Sequence, residues 1–219
     1  MRKLPVIVIL FLICACSSKQ IPEWKDTSSK QLESYKHYFL TDKESTSEPH
    51  FVKAKKAIAS SNDLNLLGTA YLTRYALYVS VLEDFDDTEF IRINKLQPDA
   101  INFSYYNFIK GNFQTADYNL LPAHYSNLLK PAQDKDLATA VIEINSIDDP
   151  LSRLVACGVW VKYLPYDDNI LQIAVNTAAD SGWGKPLFAY LTKLQQYYLN
   201  HNETAKAEII KERLELLKK

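Results

Sequence analysis

The sequence predicts an all-α protein built as an array of helical hairpins. Three observations lead there. Apolar residues recur at steps of three and four, as in Leu64, Leu67, Tyr71, Tyr75, Tyr78 and Leu82, a period that fits a helix face and not a strand. Only five glycines occur in 219 residues, most of them where a helix should stop. Helix onsets at Asp149-Pro150 and Lys185-Pro186, and at 167 and 203, recur at an offset of about 36 residues. One hairpin cannot bury its own apolar face, so stacked units at such a period support one another.

Residues 1–15 stand apart from this pattern. Arg2 and Lys3 precede an apolar run from Leu4 to Ile13. That run is about half of the roughly 20 residues a spanning helix needs, and it fits the h-region of a secretory signal. Residues 16–25 read as a polar tether, and the helical domain as residues 26–219.

Within the domain, Ser28-Ser-Lys-Gln31 has capping-box spacing and predicts a helix carrying Leu32, Tyr35, Tyr38 and Phe39. Thr41 to Glu48 reads as a polar linker, with Pro49 in the first turn of a second helix. Asn62 or Asp63 should cap a third, which Asp84-Phe-Asp-Asp87 ends. A short helix over Phe90–Leu96 stops before Pro98, and Asp99 to Lys110 forms the next, closed by Gly111. Helices are then expected over 115–121, 123–129, 135–146, 150–163, 168–181, 185–200 and 203–218. The acids and prolines at several of these starts suit free N–H groups and the helix dipole.

The junction Ile13-Cys14-Ala15-Cys16 resembles the lipobox of bacterial lipoproteins, with an aliphatic residue, a small residue and then cysteine. The resemblance implies diacylglycerol on the Cys16 thiol, cleavage before it, and a lasting bilayer anchor, because two or more acyl chains hold stably. Cys14 is the rival acceptor, but it would put β-branched Ile13 at the small-residue position. Ser17 resembles the outer-membrane-sorted kind, which would place the domain on the periplasmic side.

A second resemblance is to tetratricopeptide repeats. The turns Gly111-Asn-Phe-Gln-Thr-Ala116, Lys135-Asp-Leu-Ala-Thr-Ala140 and Asn202-Glu-Thr-Ala-Lys-Ala207 are similar to the turn between their two helices. Ser104 stands at the small position, with Ala116, Leu120 and Ala123 at second-helix core positions. Asn107 replaces the usual aromatic, Pro122 falls inside the second helix, and Lys211 stands where an aromatic is expected. The resemblance implies degenerate hairpins of a tetratricopeptide-like solenoid over roughly residues 100–217.

Without residues 1–15 the chain keeps 204 residues, with 23 basic against 26 acidic side chains, a net charge of −3. No basic stripe suggests nucleic acid, and the cluster Lys53, Lys55, Lys56 reads as the solvated face of one helix. Cys157 is then the one remaining thiol besides Cys16, sits in an apolar stretch, and reads as core. No metal, cofactor or nucleophile pattern is present: the four histidines lack partners at i+3 or i+4. Asp84, Asp86, Asp87 and Glu89 form the densest acid cluster, where the glycine and spacing of a calcium loop are missing.

The expected function is therefore a membrane-anchored interaction or assembly module with an envelope protein partner and no catalysis of its own. Fourteen tyrosines and three tryptophans supply candidate anchors, with Tyr106, Trp183 and Tyr198 the residues of choice provided they are exposed. The alternatives are an enzyme acting on peptidoglycan, which needs a cleft glutamate of raised pKa, and a surface-displayed lipoprotein.

Overall fold

The computed structural model describes residues 22–217. The signal segment and Cys16 lie outside the described residues. Among those described, eleven α-helices and one 3-10 turn (Tyr118–Leu120) account for the regular structure, and no strand occurs. The helices are α1 (Glu23–Leu40), α2 (Glu44–Ala59), α3 (Leu64–Ser80), α4 (Thr88–Leu96), α5 (Ala100–Ile109), α6 (Ala123–Asp134), α7 (Leu137–Asn145), α8 (Pro150–Tyr163), α9 (Asp168–Asp180), α10 (Gly184–Asn200) and α11 (Thr204–Leu217). No described helix is long and apolar enough to cross a membrane.

Hairpins are made by one recurring corner. Asp42, Asn62, Lys135, Gly182 and Asn202 all hold φ between 56° and 66°, and each stands two positions before the next helix begins. The following N–H commonly reaches back five residues, as from Lys43 to Tyr38 O (2.8 Å), Trp183 to Ala178 O (2.9 Å) and Glu203 to Tyr198 O (2.9 Å). This left-handed residue closes orphan carbonyls of one helix while aiming the chain into the next. Asp63, Asp99, Asp136, Asp149 and Asp167 then accept N–H groups in the first turns of α3, α5, α7, α8 and α9.

Four expectations need correction, the simplest being the helix expected over 123–129, which runs to Asp134 as α6 with Pro131 inside it. α1 begins at Glu23, inside the stretch read as tether, so Ser28 does not cap it. Ser28 is buried, its hydroxyl donating to Lys25 O at 3.0 Å, while Pro22 O accepts the first-turn N–H groups and Glu23 and Asp26 favour the dipole. α2 begins at Glu44, so the supposed linker is a turn of three residues and Pro49 lies within the helix on its exposed side. The fourth correction concerns residues 115–121, which form no α-helix. Ala116 and Leu120 are only partly buried and Ala123 is exposed, so they do not fill a second-helix core. Pro122 biases its predecessor toward extended backbone, and Leu121 has φ −77° and ψ 148°.

The core runs the length of the molecule and contains Cys157, fully buried as read from its apolar surroundings. Helices contact more than their sequence neighbours: α3 packs on α8, and α1 on α10. The two most internal helices, α3 and α8, meet where Gly158 faces the backbone of Val79. α8 and α10 are tied directly as well, since Tyr190 of α10 donates to Leu154 O of α8 at 3.3 Å.

Candidate protein-binding groove

The irregular stretch after α5 is held by side chains, which explains its departure from the helical pattern. Ser104 Oγ donates to Asp117 O (3.1 Å) and accepts from Asp117 N (2.8 Å). Asn107 Nδ2 donates to Thr115 O (3.4 Å), and Gln133 Nε2 of α6 to Phe113 O (2.9 Å). Ser104 and Asn107 are buried. Asn107 stands where the resemblance expects an aromatic because its amide has backbone to bind.

Against this loop, α5, α6 and the end of α8 enclose a groove of about 600 Å³. Its apolar lining is Phe103, Phe113, Ala132, Tyr163 and Leu164, and its polar lining is dominated by amides, Asn107, Asn112, Gln114 and Gln133. Phe103 is 41% exposed and Tyr163 38%, unusual for rings of that size in a chain whose core takes most of its aromatics. Phe103 rests on Tyr106, with ring centroids 5.9 Å apart. Tyr163 is pressed on the α5 corner: a β-carbon on Gly111 would lie 2.5 Å from its ring, and Gly111 has φ +81°. Both rings are thus backed by fixed neighbours and present a free side to the groove.

On the other side of Tyr163 lies an open, more polar cleft of about 1020 Å³ between α3, α8 and α10. Two largely buried lysines brace it. Lys162 Nζ donates to Glu83 O (2.8 Å), Leu82 O (3.4 Å) and Asp84 Oδ1 (2.7 Å), closing the carboxyl end of α3 where Leu82 turns to φ 64°. Lys185 lies 3.1 Å from Glu83 Oε1 and 4.1 Å from the centre of the Phe39 ring. Each of these two ammonium groups has its counter-charge, while Lys193, also on the cleft wall, lies 5.6 Å from the centre of the Tyr166 ring.

The acid cluster of residues 84–89 does not converge. Asp84 is held below the usual carboxylate range by Lys162, and Asp86 by the Thr88 hydroxyl and N–H. Asp87 is lowered by its bond from Lys110 (2.6 Å), with further help from the Tyr106 hydroxyl (2.7 Å). Among the described residues no three His, Cys, Asp or Glu side chains are grouped as metal ligands. The shifts at Asp84, Asp86, Asp87 and Asp136 are all downward, whereas a proton-donating carboxyl needs the opposite.

The three aromatics chosen from sequence are not brought together. Tyr106 is buried behind Phe103 and Tyr198 is buried with its hydroxyl donating to Asp168 at 3.2 Å, so neither meets the condition of exposure. Trp183 is partly buried, packs on the core and starts α10, roughly 22 Å along the helix from Tyr198 at 1.5 Å per residue. None of the three lines the groove or the cleft. Sequence reasoning missed Phe103 and Tyr163. A signal existed for the first, since Phe103 falls off the stripe Ser104, Asn107 and Phe108 that faces inward. For Tyr163 the position beside Gly111 is a tertiary fact with no local signature.

Comparison with known proteins finds no family model, curated sequence or solved structure that matches this chain.

Proposed function

We propose that this chain is a lipid-anchored envelope protein whose helical domain binds a segment of a partner protein in the groove between α5, α6 and α8. The observation that carries the binding reading is the pair Phe103 and Tyr163, two supported and half-exposed rings over an amide-rich floor. Rings of this kind supply contact area at low ordering cost, and amides can pair with the N–H and C=O groups of an extended segment. The anchoring reading rests on the Ile13-Cys14-Ala15-Cys16 junction, and Ser17 after it supports the outer membrane, with the domain facing the periplasm.

Two experiments test the halves separately. A clickable fatty acid supplied to growing cells should label wild type and Cys14→Ser but not Cys16→Ser; label that survives loss of Cys16 sinks the anchor. Envelope proteins captured by the native chain should be lost with Phe103→Ala/Tyr163→Ala, each anchor contributing on the order of 1–4 kcal/mol. Undiminished capture by a folded double variant removes the groove from consideration.

A further inference from the structure

We infer that the open end of the α1–α2 hairpin, carrying Trp24, Lys25, Lys53 and Lys56, lies against an anionic phospholipid surface and fixes how the domain stands on the membrane. The inference rests on acylation of Cys16. Cys16 and Pro22 are six positions apart in the chain. A fully extended backbone spans at most about 3.6 Å per residue, so Pro22 cannot lie farther than roughly 22 Å from the acylated thiol. That tether delivers one particular end of the domain to the bilayer. α1 and α2 pack on each other across the corner at Thr41–Lys43, with Gln31 Oε1 2.7 Å from His50 Nδ1 and the rings of Tyr35 and Phe51 5.0 Å apart. This register puts the carboxyl end of α2 beside the start of α1, while the corner stands a full helix length away, about 27 Å for 18 residues.

The chemistry at the delivered end suits headgroups. Lys25, Lys53 and Lys56 are exposed and have no ion pair among the described residues. Lys53 and Lys56 fall within about 9 Å of the end of α2, next to Val52, which is 56% exposed. Lys55, from the same cluster, is otherwise engaged, its Nζ donating to Tyr71 OH at 3.1 Å. Of the acids at this end, Asp26 is bridged to Lys30 at 2.7 Å and Asp63 accepts the Leu66 N–H at the start of α3 (3.0 Å), which leaves Glu23 and Asp63 as the opposing charges against three lysines. Trp24 is partly exposed at the same level, and tryptophan favours the membrane interface. Each lysine held near an anionic surface strengthens the association about five-fold. Three such contacts are too weak to recruit a free protein, but they suffice to orient one that the acyl chains already hold at high local concentration.

The test uses the full lipidated chain in phosphatidylcholine vesicles with and without phosphatidylglycerol. A fluorophore is placed at Ser60→Cys, at the proposed contact, or at Ser45→Cys, near the far corner; Cys157 is fully buried and does not compete for the label. A nitroxide-bearing lipid should quench the Ser60 label several-fold more than the Ser45 label on phosphatidylglycerol vesicles. Lys25→Glu/Lys53→Glu/Lys56→Glu should bring it down to the level seen on phosphatidylcholine alone, and Lys53→Gln/Lys56→Gln part of the way, with helical circular dichroism retained in both. Equal quenching at the two positions, or quenching indifferent to lipid charge and to the lysine changes, overturns the inference. The mass of the amino-terminal peptide separates the two readings. An unacylated Cys16 overturns both, whereas an acylated Cys16 with equal quenching overturns the orientation alone.

Discussion

A β-carbon on Gly158 would stand 2.1 Å from the carbonyl oxygen of Val79 and 2.7 Å from its carbonyl carbon. No side chain can fill that space, so α8 touches α3 backbone to side-chain-free backbone at the centre of the core. Leu154, Val155 and Trp160 on α8 and Leu72, Leu77 and Val79 on α3 are all buried nearly completely. Glycine inside a helix costs about 1 kcal/mol against alanine, and here the close approach offsets it.

Gly158→Ala should therefore destabilise the protein, by about 1–3 kcal/mol, even though alanine is the better helix former. The urea midpoint should fall with little change in slope. Because the obstructing atoms belong to the main chain of Val79, adding Val79→Ala should not restore it. An unchanged or raised midpoint for Gly158→Ala would show the helices to be farther apart than described.

Gly111 and Gly182 form a matched pair. Both have positive φ, +81° and +66°, but a β-carbon meets the Tyr163 ring at Gly111 and nothing within 4 Å at Gly182. Alanine at either site pays the left-handed backbone cost of roughly 1–2 kcal/mol. Only Gly111→Ala should also displace Tyr163, visible as a larger loss of thermal stability and as weakened partner capture. Equal losses at the two sites would remove the support assigned to Tyr163.

Lys135 holds φ 58° without being glycine, and it is exposed. Lys135→Gly should stabilise the protein by about 0.5–1 kcal/mol, read as a rise in the thermal midpoint. Leu82, at φ 64°, should not show the same gain, because its side chain packs against the core.

Asp87 carries a pH dependence of known sign. Its folded pKa lies below the unfolded value of about 3.9, so it adds stability above that pH and loses it as the pH falls through the lowered folded value. Asp87→Asn should be less stable than wild type at pH 7, by no more than about 1 kcal/mol after solvent screening. The gap should close below about pH 4. A gap that persists in acid would mean that Asp87 acts through packing and not through its charge on Lys110 and Tyr106.

The carboxyl-terminal half was the more legible part of the chain. Asp149, Asp167, Pro150 and the corners at Lys135 and Asn202 are local signals, and the helices start where they say. Capping misled at Ser28 because a serine followed by Gln31 has the same spacing inside a helix as at its start. There the hydroxyl bonds back to Lys25 instead. Counting glycines understated the corners, since Asp, Asn, Lys and Leu occupy five of the seven positive-φ positions. The groove was not legible. It depends on Ser104, Asn107 and Gln133 gripping a loop, and on Tyr163 of α8 meeting Gly111, contacts that span up to 20 residues or join separate hairpins.

The packing of α3 on α8 also sets an order of events during synthesis. Lys162 Nζ reaches Glu83 O across 79 residues, and α1 awaits α10. A chain emerging from its amino terminus exposes the part of α3 around Val79, which Gly158 of α8 covers, long before that cover exists. Hairpins such as α1–α2 can form early from nearby residues, but the central seam is a late, long-range step with a large loop-closure cost. In that interval the nascent half presents a bare apolar stripe to whatever surrounds it. The protein should consequently lean on a holding chaperone until residues 150–163 arrive.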